Sequence, residues 1–283
     1  MASDENPKIG FIGLGRMGMA KAKHVIGAGY TVFGFDINDQ AMEAATIAGV
    51  ITVSSALEVA ANSGIIIVIV PTDDDVKQVC MGRAGILSGA KKESIIVLCS
   101  SLLPETVREI TRQSANGVNI LDVPSTRGPD AADAGTLALL VGGDGGVLDK
   151  VRPVLNCFSE VIHHVGPLGA GQIAKTVNNI LLWCNMRTGM EVLTLAKELG
   201  LDPEAIRQAM FDCSGDSWAL RRLDRINPAW PGKDMQNAIT LSESANSVFP
   251  MISLMAELAS NLSQEAVDDL LEHKNDTWDG HSG

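Results

Sequence analysis

The stretch KIGFIGLGRMG, residues 8–18, carries the reading of the fold. An apolar, β-prone run leads into glycines at 13, 15 and 18, the spacing Gly-x-Gly-x-x-Gly. After a strand and before a helix, each glycine has its own task. Gly13 permits a tight turn, Gly15 lets the backbone approach a pyrophosphate, and Gly18 lets the helix pack closely on its strand. The helix N-terminus then offers unbonded N–H groups and the positive end of its dipole to the phosphates. The same spacing alone also describes a flexible loop, so the flanking chain has to separate the two.

It does so on the downstream side. TVFGFD, residues 31–36, reads as the next strand and ends at Asp36, eighteen residues past Gly18. An acid there meets the hydroxyls of an adenosine ribose and repels the extra phosphate of NADP. No basic residue follows in INDQ, and Asp39 reads as a helix cap. Taken singly, Asp36 is also compatible with a surface turn. Further strands are expected at 64–70, 94–100 and 118–124, with 137–144 and 161–166 as later additions. Most are unbroken apolar runs, the pattern of strands covered on both faces. Helical patterns alternate with them. In PETVREITRQSA, Pro104 suits a first-turn position, and Glu105 and Glu109 face Arg108 and Arg112 at helical spacing. Such alternation predicts a parallel sheet with helices on both sides.

The texture changes near Gly166. A helical pattern runs from Gln172 to Leu199 and stops at Gly200, about 40 Å at 1.5 Å per residue. Shorter helices are expected at 203–211, 216–224, 234–247 and 250–262, with no strand past 166. The expected fold class is therefore α/β: a Rossmann-type, doubly wound N-terminal domain at 1–165, then an all-helical domain at 166–283. The polar tail HKNDTWDGHSG is expected to be disordered.

Composition narrows the function. A net charge of −12 argues against a broad nucleic-acid or anionic-membrane surface. The polar, acidic start MASDENPK lacks the features of a signal peptide, and the apolar run 65–70 is too short to cross a bilayer. Cys80, Cys99, Cys157, Cys184 and Cys213 form no C-x-x-C pair and suggest reduced thiols in a cytoplasmic protein. His163 and His164 have no companion acid or cysteine nearby, so no metal site is expected. Asp73, Asp74 and Asp75 read as complements to a helix N-terminus. Trp183, Met186 and Met190 read as core or interface, and Trp230 as either pocket lining or core.

A second constellation, GAGQIAKTVNN at 169–179, opens the long helix. Lys175 and Asn179 are four apart and share a face, with Asn178 close by. Moving a hydride to or from an alcohol carbon requires a proton to join or leave the oxygen. A lysine with a lowered pKa can carry it. An exposed helical lysine is the competing reading.

FIGLGRMG, SSLLP (100–104), GTLALLVGGD (135–144), GAGQIAKTVNN and GKDM (232–235) occur in the order and approximate spacing of the β-hydroxyacid dehydrogenases. The chain resembles that family, which includes relatives of 3-hydroxyisobutyrate dehydrogenase, tartronate semialdehyde reductase and 6-phosphogluconate dehydrogenase. The resemblance implies Lys175 as catalytic acid/base and Asn179 as a substrate partner. It implies a cofactor site of Gly13, Leu14, Gly15, Arg16, Met17, Gly18, Asp36, Pro71, Ser100 and Lys233, taking NAD in preference to NADP. It further implies a small acidic hydroxyacid or semialdehyde as substrate, and a homodimer or homotetramer. The substrate loop of the family usually reads Asp-x-Pro-Val-Ser-Gly-Gly, whereas this chain has DVPSTRG at 122–128. Ser125, Thr126, Arg127 and Gly128 are the candidate substrate residues. Arg127 replaces a glycine; its guanidinium suits a second acidic group on the substrate, or pairs with Asp130 or Asp133. An imine reductase-like enzyme and a non-catalytic dinucleotide sensor or scaffold are the competing functions.

Overall fold

The structure, a computed structural model, describes residues 6–114, 117–226, 228, 230–245, 247–259 and 262–271. The polar tail from residue 273 lies outside the described residues. The chain divides into two compact units, with the boundary after Lys175, inside the helix Ala170–Glu198.

The first unit is built on one mixed sheet. Its strands are β1 (Ile9–Ile12), β2 (Val32–Phe35), β3 (Ile51–Thr52), β4 (Ile65–Val68), β5 (Ile95–Leu98), β6 (Asn119–Asp122), β7 (Ser125–Thr126), β8 (Leu137–Gly142) and β9 (Ser159–Gly166). β3, β2, β1, β4, β5 and β6 lie side by side in that order, all parallel. Successive side chains on these strands go to opposite faces. Phe11, Ile65, Ile67, Ile95 and Val97 enter one core, with Val25, Leu139 and Phe158. Ile12, Ile66, Val68, Ile96 and Leu98 enter the other, with Val59, Val76 and Ile110. The β-branched runs are therefore covered on both sides.

The parallel sheet expected from the sequence is present, and one edge adds antiparallel pairing to it. β8 runs antiparallel to β6 and to β7, and β9 then returns parallel to β8. Connection length is the cause. Only residues 127–136 join β7 to β8, fewer than the dozen or so that a parallel crossover needs. Residues 143–158 join β8 to β9 and include the helix Gly145–Leu155, which is long enough.

The described part of the second unit is helical. Beyond the long helix Ala170–Glu198 come helices at Pro203–Met210, Trp218–Arg221, Pro231–Glu243, Pro250–Leu258 and Gln264–Leu271. The last was not anticipated. The helix expected at 216–224 shrinks to one turn capped by Ser217, and the one expected from 234 starts at Pro231, a favoured first-turn residue. Trp183, Met186 and Met190 are core here, with Leu220, Met235, Met255 and Val267. The Trp183 indole donates to Asp234 at 2.9 Å. Trp230, in contrast, is exposed. No helix among the described residues is long and apolar enough to cross a membrane.

Candidate active site

The glycine turn follows β1 and opens the helix Arg16–Gly27. Gly13 has φ 92°, and a Cβ there would lie 2.1 Å from the Ile69 carbonyl oxygen. A Cβ on Gly18 would lie 2.0 Å from the Gly13 oxygen. Both glycines are forced by the close approach of backbone. Gly15 is different: a Cβ there meets no protein atom within 4 Å. Gly15 is also the N-cap, and no side chain caps this helix. The first-turn N–H groups, those of Arg16 and Met17 among them, have no helical acceptor. They face open space beside a residue without a side chain, which suits a pyrophosphate. Asp36 closes the turn. One carboxylate oxygen accepts from the Leu14 N–H at 2.6 Å and the other from the Asn38 N–H at 2.9 Å. The acid is thereby fixed at the end of β2, as ribose recognition requires.

Two further turns lie at the carboxyl ends of β4 and β5. The Ser100 hydroxyl donates to the Val70 carbonyl at 2.8 Å and accepts from the Val70 N–H at 2.9 Å. It thus holds the residue before Pro71. The Leu103 N–H donates to Asp73, whose helix is capped by a reciprocal Thr72–Asp75 pair.

The long helix is rooted in the same region. Asp122, the last residue of β6, is completely buried. Its carboxylate accepts from the Gly169 N–H at 2.7 Å and the Gln172 N–H at 2.9 Å. Burial pushes this carboxyl up from its ordinary range, while the N–H donors, Gly171 included, pull it part-way back. A Cβ on Gly171 would press on Asp122 and on the Leu140 carbonyl, which accounts for the second glycine of GAGQ. Gln172, equally buried, accepts from the Leu102 N–H and donates to the Ser100 carbonyl, both at 2.9 Å. Lys175 follows three residues later, half-buried, with Asn179 buried one turn further on. Asn178 donates to the Asn179 side-chain oxygen at 3.0 Å. Lys233 is half-buried in the helix Pro231–Glu243 of the second unit.

In the remaining loop, Ser125 and Thr126 form β7, and the Thr126 hydroxyl donates to the Ala138 carbonyl at 3.3 Å. Arg127 and Gly128 both have φ 79°. Two successive left-handed residues form the shape a glycine pair would adopt, so the arginine leaves the turn geometry intact at a cost of about 1–2 kcal/mol. Its guanidinium donates to the Thr136 carbonyl at 3.0 Å and pairs with the Glu160 carboxylate. The expected partners, Asp130 and Asp133, instead face Arg16 at 3.7 and 3.5 Å. No group of three or more His, Cys, Asp or Glu able to hold a metal ion occurs among the described residues. His164 bonds the Gly143 carbonyl at 2.8 Å.

A family model described as the NAD binding domain of 6-phosphogluconate dehydrogenase matches residues 8–166. A second, the NAD-binding domain of NADP-dependent 3-hydroxyisobutyrate dehydrogenase, matches residues 169–274. The chain belongs to the β-hydroxyacid dehydrogenase family. Its relatives include a 2-(hydroxymethyl)glutarate dehydrogenase of Eubacterium barkeri, 37% identical over 77% of this chain and 72% of the relative. A 3-hydroxyisobutyrate dehydrogenase of Pseudomonas aeruginosa is 36% identical over 79% and 74%. The solved structure of a Mycobacterium tuberculosis 3-hydroxyisobutyrate dehydrogenase with L-serine superposes with a TM-score of 0.85 at 28% identity, covering 94% of this chain and 99% of that one. As a member of this family the protein is a dehydrogenase acting on CH–OH, and its cofactor is a nicotinamide adenine dinucleotide.

Sequence reasoning for this β-hydroxyacid dehydrogenase missed three contributors: Asp122, Gln172 and Glu160. Asp122 and Gln172 sit inside quoted motifs, and an acid at a strand end facing a glycine-opened helix is a usable signal. Glu160 carries no signal in the sequence.

Proposed function

We propose that the protein oxidises the alcohol of a small β-hydroxyacid to the matching semialdehyde, or runs the reverse reduction, with Lys175 as general acid/base. The rooting of the lysine helix carries this reading. Gln172 is bonded to the turn after β5, and Lys175 lies about one 5.4 Å helical turn further on. Ligands of open α/β sheets bind at the carboxyl ends of the strands, where this lysine stands. When bound, the dinucleotide supplies the two-electron acceptor. Lys175 in its neutral form takes the hydroxyl proton and returns it in the reduction direction. Thr126 and the left-handed turn at Arg127–Gly128 hold the substrate carboxylate, with Ser125 supporting them and Asn179 as a further partner. Arg127 grips Glu160 and Thr136, which favours a bracing role over contact with the substrate.

The substrates named for the relatives, 2-(hydroxymethyl)glutarate, 3-hydroxyisobutyrate and serine, share an HOCH2–CH–COO⁻ unit. That unit is the substrate class we assign. NAD is the preferred cofactor: Asp36 is followed by Ile37, Asn38 and Asp39, so no cation follows it in the sequence to meet a 2′-phosphate. Val177, Leu181, Val192 and Leu195 are exposed on the long helix and fall on one stripe at 100° per residue. A second copy of the chain covers this stripe in the proposed homodimer, and sedimentation equilibrium measures it.

The direct test is a spectrophotometric screen of hydroxyacids, semialdehydes and cyclic imines with NAD(H) and NADP(H), followed by Lys175→Ala on the best substrate. The variant is expected to bind NADH normally and lose about 10²–10⁴-fold in kcat. Near-normal turnover would remove Lys175 from its role. Turnover of imines alone would replace the hydroxyacid reading, and tight NADH binding without any turnover would favour a sensor.

A further inference from the structure

Lys21 lies in the middle of the helix Arg16–Gly27, between Ala20 and Ala22, on the face turned to the core. Its side chain is 0% exposed. Its ammonium nitrogen is 3.4 Å from the Ser125 hydroxyl oxygen and 5.6 Å from the centre of the Phe158 ring. Among the described residues no carboxylate pairs with it. Fully buried, unpaired lysines are rare, because the charged head is costly to desolvate. Burial accordingly draws this amine down from its ordinary range, with the buried Cys99 thiol as a titratable neighbour.

An apolar side chain would fill this position at lower cost, so the amine has to be explained by what it touches. Among the described residues, its hydrogen-bond partner is the half-buried Ser125 hydroxyl of β7. Ser125 is the residue from which the Thr126–Arg127–Gly128 turn departs. β7 is only two residues long and pairs with β8 at Ser125–Leu139 and Thr126–Ala138. So short a strand fixes the turn weakly by itself, and a hold from beneath adds a third point. We infer that Lys21 is a positioning residue for substrate binding: it holds Ser125 from the core and so sets the turn that receives the substrate carboxylate. The inference rests on the reading of residues 125–128 as the substrate loop.

The test combines Lys21→Met, Ser125→Ala and the double variant in the full chain. Lys21→Met removes the amine and keeps most of the volume, so its melting temperature is expected to equal or exceed that of the wild type. The KM for the best hydroxyacid should rise about fivefold to tenfold, as for one lost hydrogen bond. The Kd for NADH and kcat should stay within about twofold. Ser125→Ala should raise KM similarly, and the double variant should be no worse than the poorer single one, since both break the same link. Amide hydrogen exchange supplies a readout free of catalysis: Lys21→Met should speed exchange at residues 125–128 and leave β4 and β5 unchanged. Unchanged KM and exchange in Lys21→Met, or independent multiplication of the two single effects, would overturn the inference. If Lys21→Met does not fold, Lys21→Leu takes its place in the same two measurements. Failure of the wild type to turn over any hydroxyacid would instead strike the proposed function, and the exchange experiment would still report whether Lys21 holds the loop.

Discussion

The turn at Gly13–Gly18 and the turn at Gly169–Gly171 share a grammar, a Gly-x-Gly step into a helix N-terminus, and put it to opposite uses. Both leave N–H groups that need a negative partner. At the second turn that partner is internal: the buried Asp122 carboxylate accepts from Gly169 and Gln172. At the first turn no side chain caps the helix, and Gly15 faces open space. One N-terminus is filled by the chain itself, and the other suits an anion from solution. A Gly-x-Gly step therefore predicts a demand for negative charge. Only the strand ends around it tell which source meets that demand.

The largest expected effect comes from emptying the filled site. Asp122→Ala leaves the Gly169 and Gln172 N–H groups buried without an acceptor, at about 1–3 kcal/mol each. Against a total stability of about 5–15 kcal/mol, the denaturant midpoint should fall sharply even in the presence of saturating NADH. A small change would show that water replaces the carboxylate and that the site is less closed than its geometry indicates.

The reciprocal experiment at the open turn should barely touch stability. Gly15→Ala adds a methyl group where no protein atom lies within 4 Å, at a residue with φ −65°. The melting temperature of the apo protein should be unchanged. The Kd for NADH should rise about tenfold or more, because the methyl occupies the approach of the pyrophosphate. Loss of stability with normal NADH affinity would reverse the roles assigned to the two turns.

These contrasts also mark what the sequence made legible. β4 and β5 were readable because unbroken runs such as IIIV and IIVL belong to strands covered on both sides. β7 was not, since Ser125–Thr126 is too short to show a period, and with it went the antiparallel edge. Within the glycine motif the three tasks were legible from spacing, because backbone geometry sets them. Lys21 was not: in KAK it looks like Lys23, and only the packing of the helix on Phe158 tells a buried amine from a solvated one. Gln172 was quoted within its motif, yet its two bonds reach residues seventy positions away, a distance no local pattern reports.

The smallest effect is expected at a third glycine-like turn, the one whose first glycine has become Arg127. Arg127→Gly relieves a left-handed residue by about 1–2 kcal/mol. It forfeits a surface ion pair of about 0–1 kcal/mol and adds about 0.5–1 kcal/mol of backbone freedom to the unfolded chain. These terms offset, so the stability should move by no more than about 1 kcal/mol. The guanidinium is engaged by Glu160 and the Thr136 carbonyl, and the backbone already has the glycine-pair shape. The KM for monocarboxylic and dicarboxylic hydroxyacids should therefore change equally and little. A selective loss of dicarboxylic or sulfonated substrates in Arg127→Gly would show that the arginine leaves Glu160 to meet a second acidic group. That would make this turn, like the one at Gly15, a seat for an anion from solution.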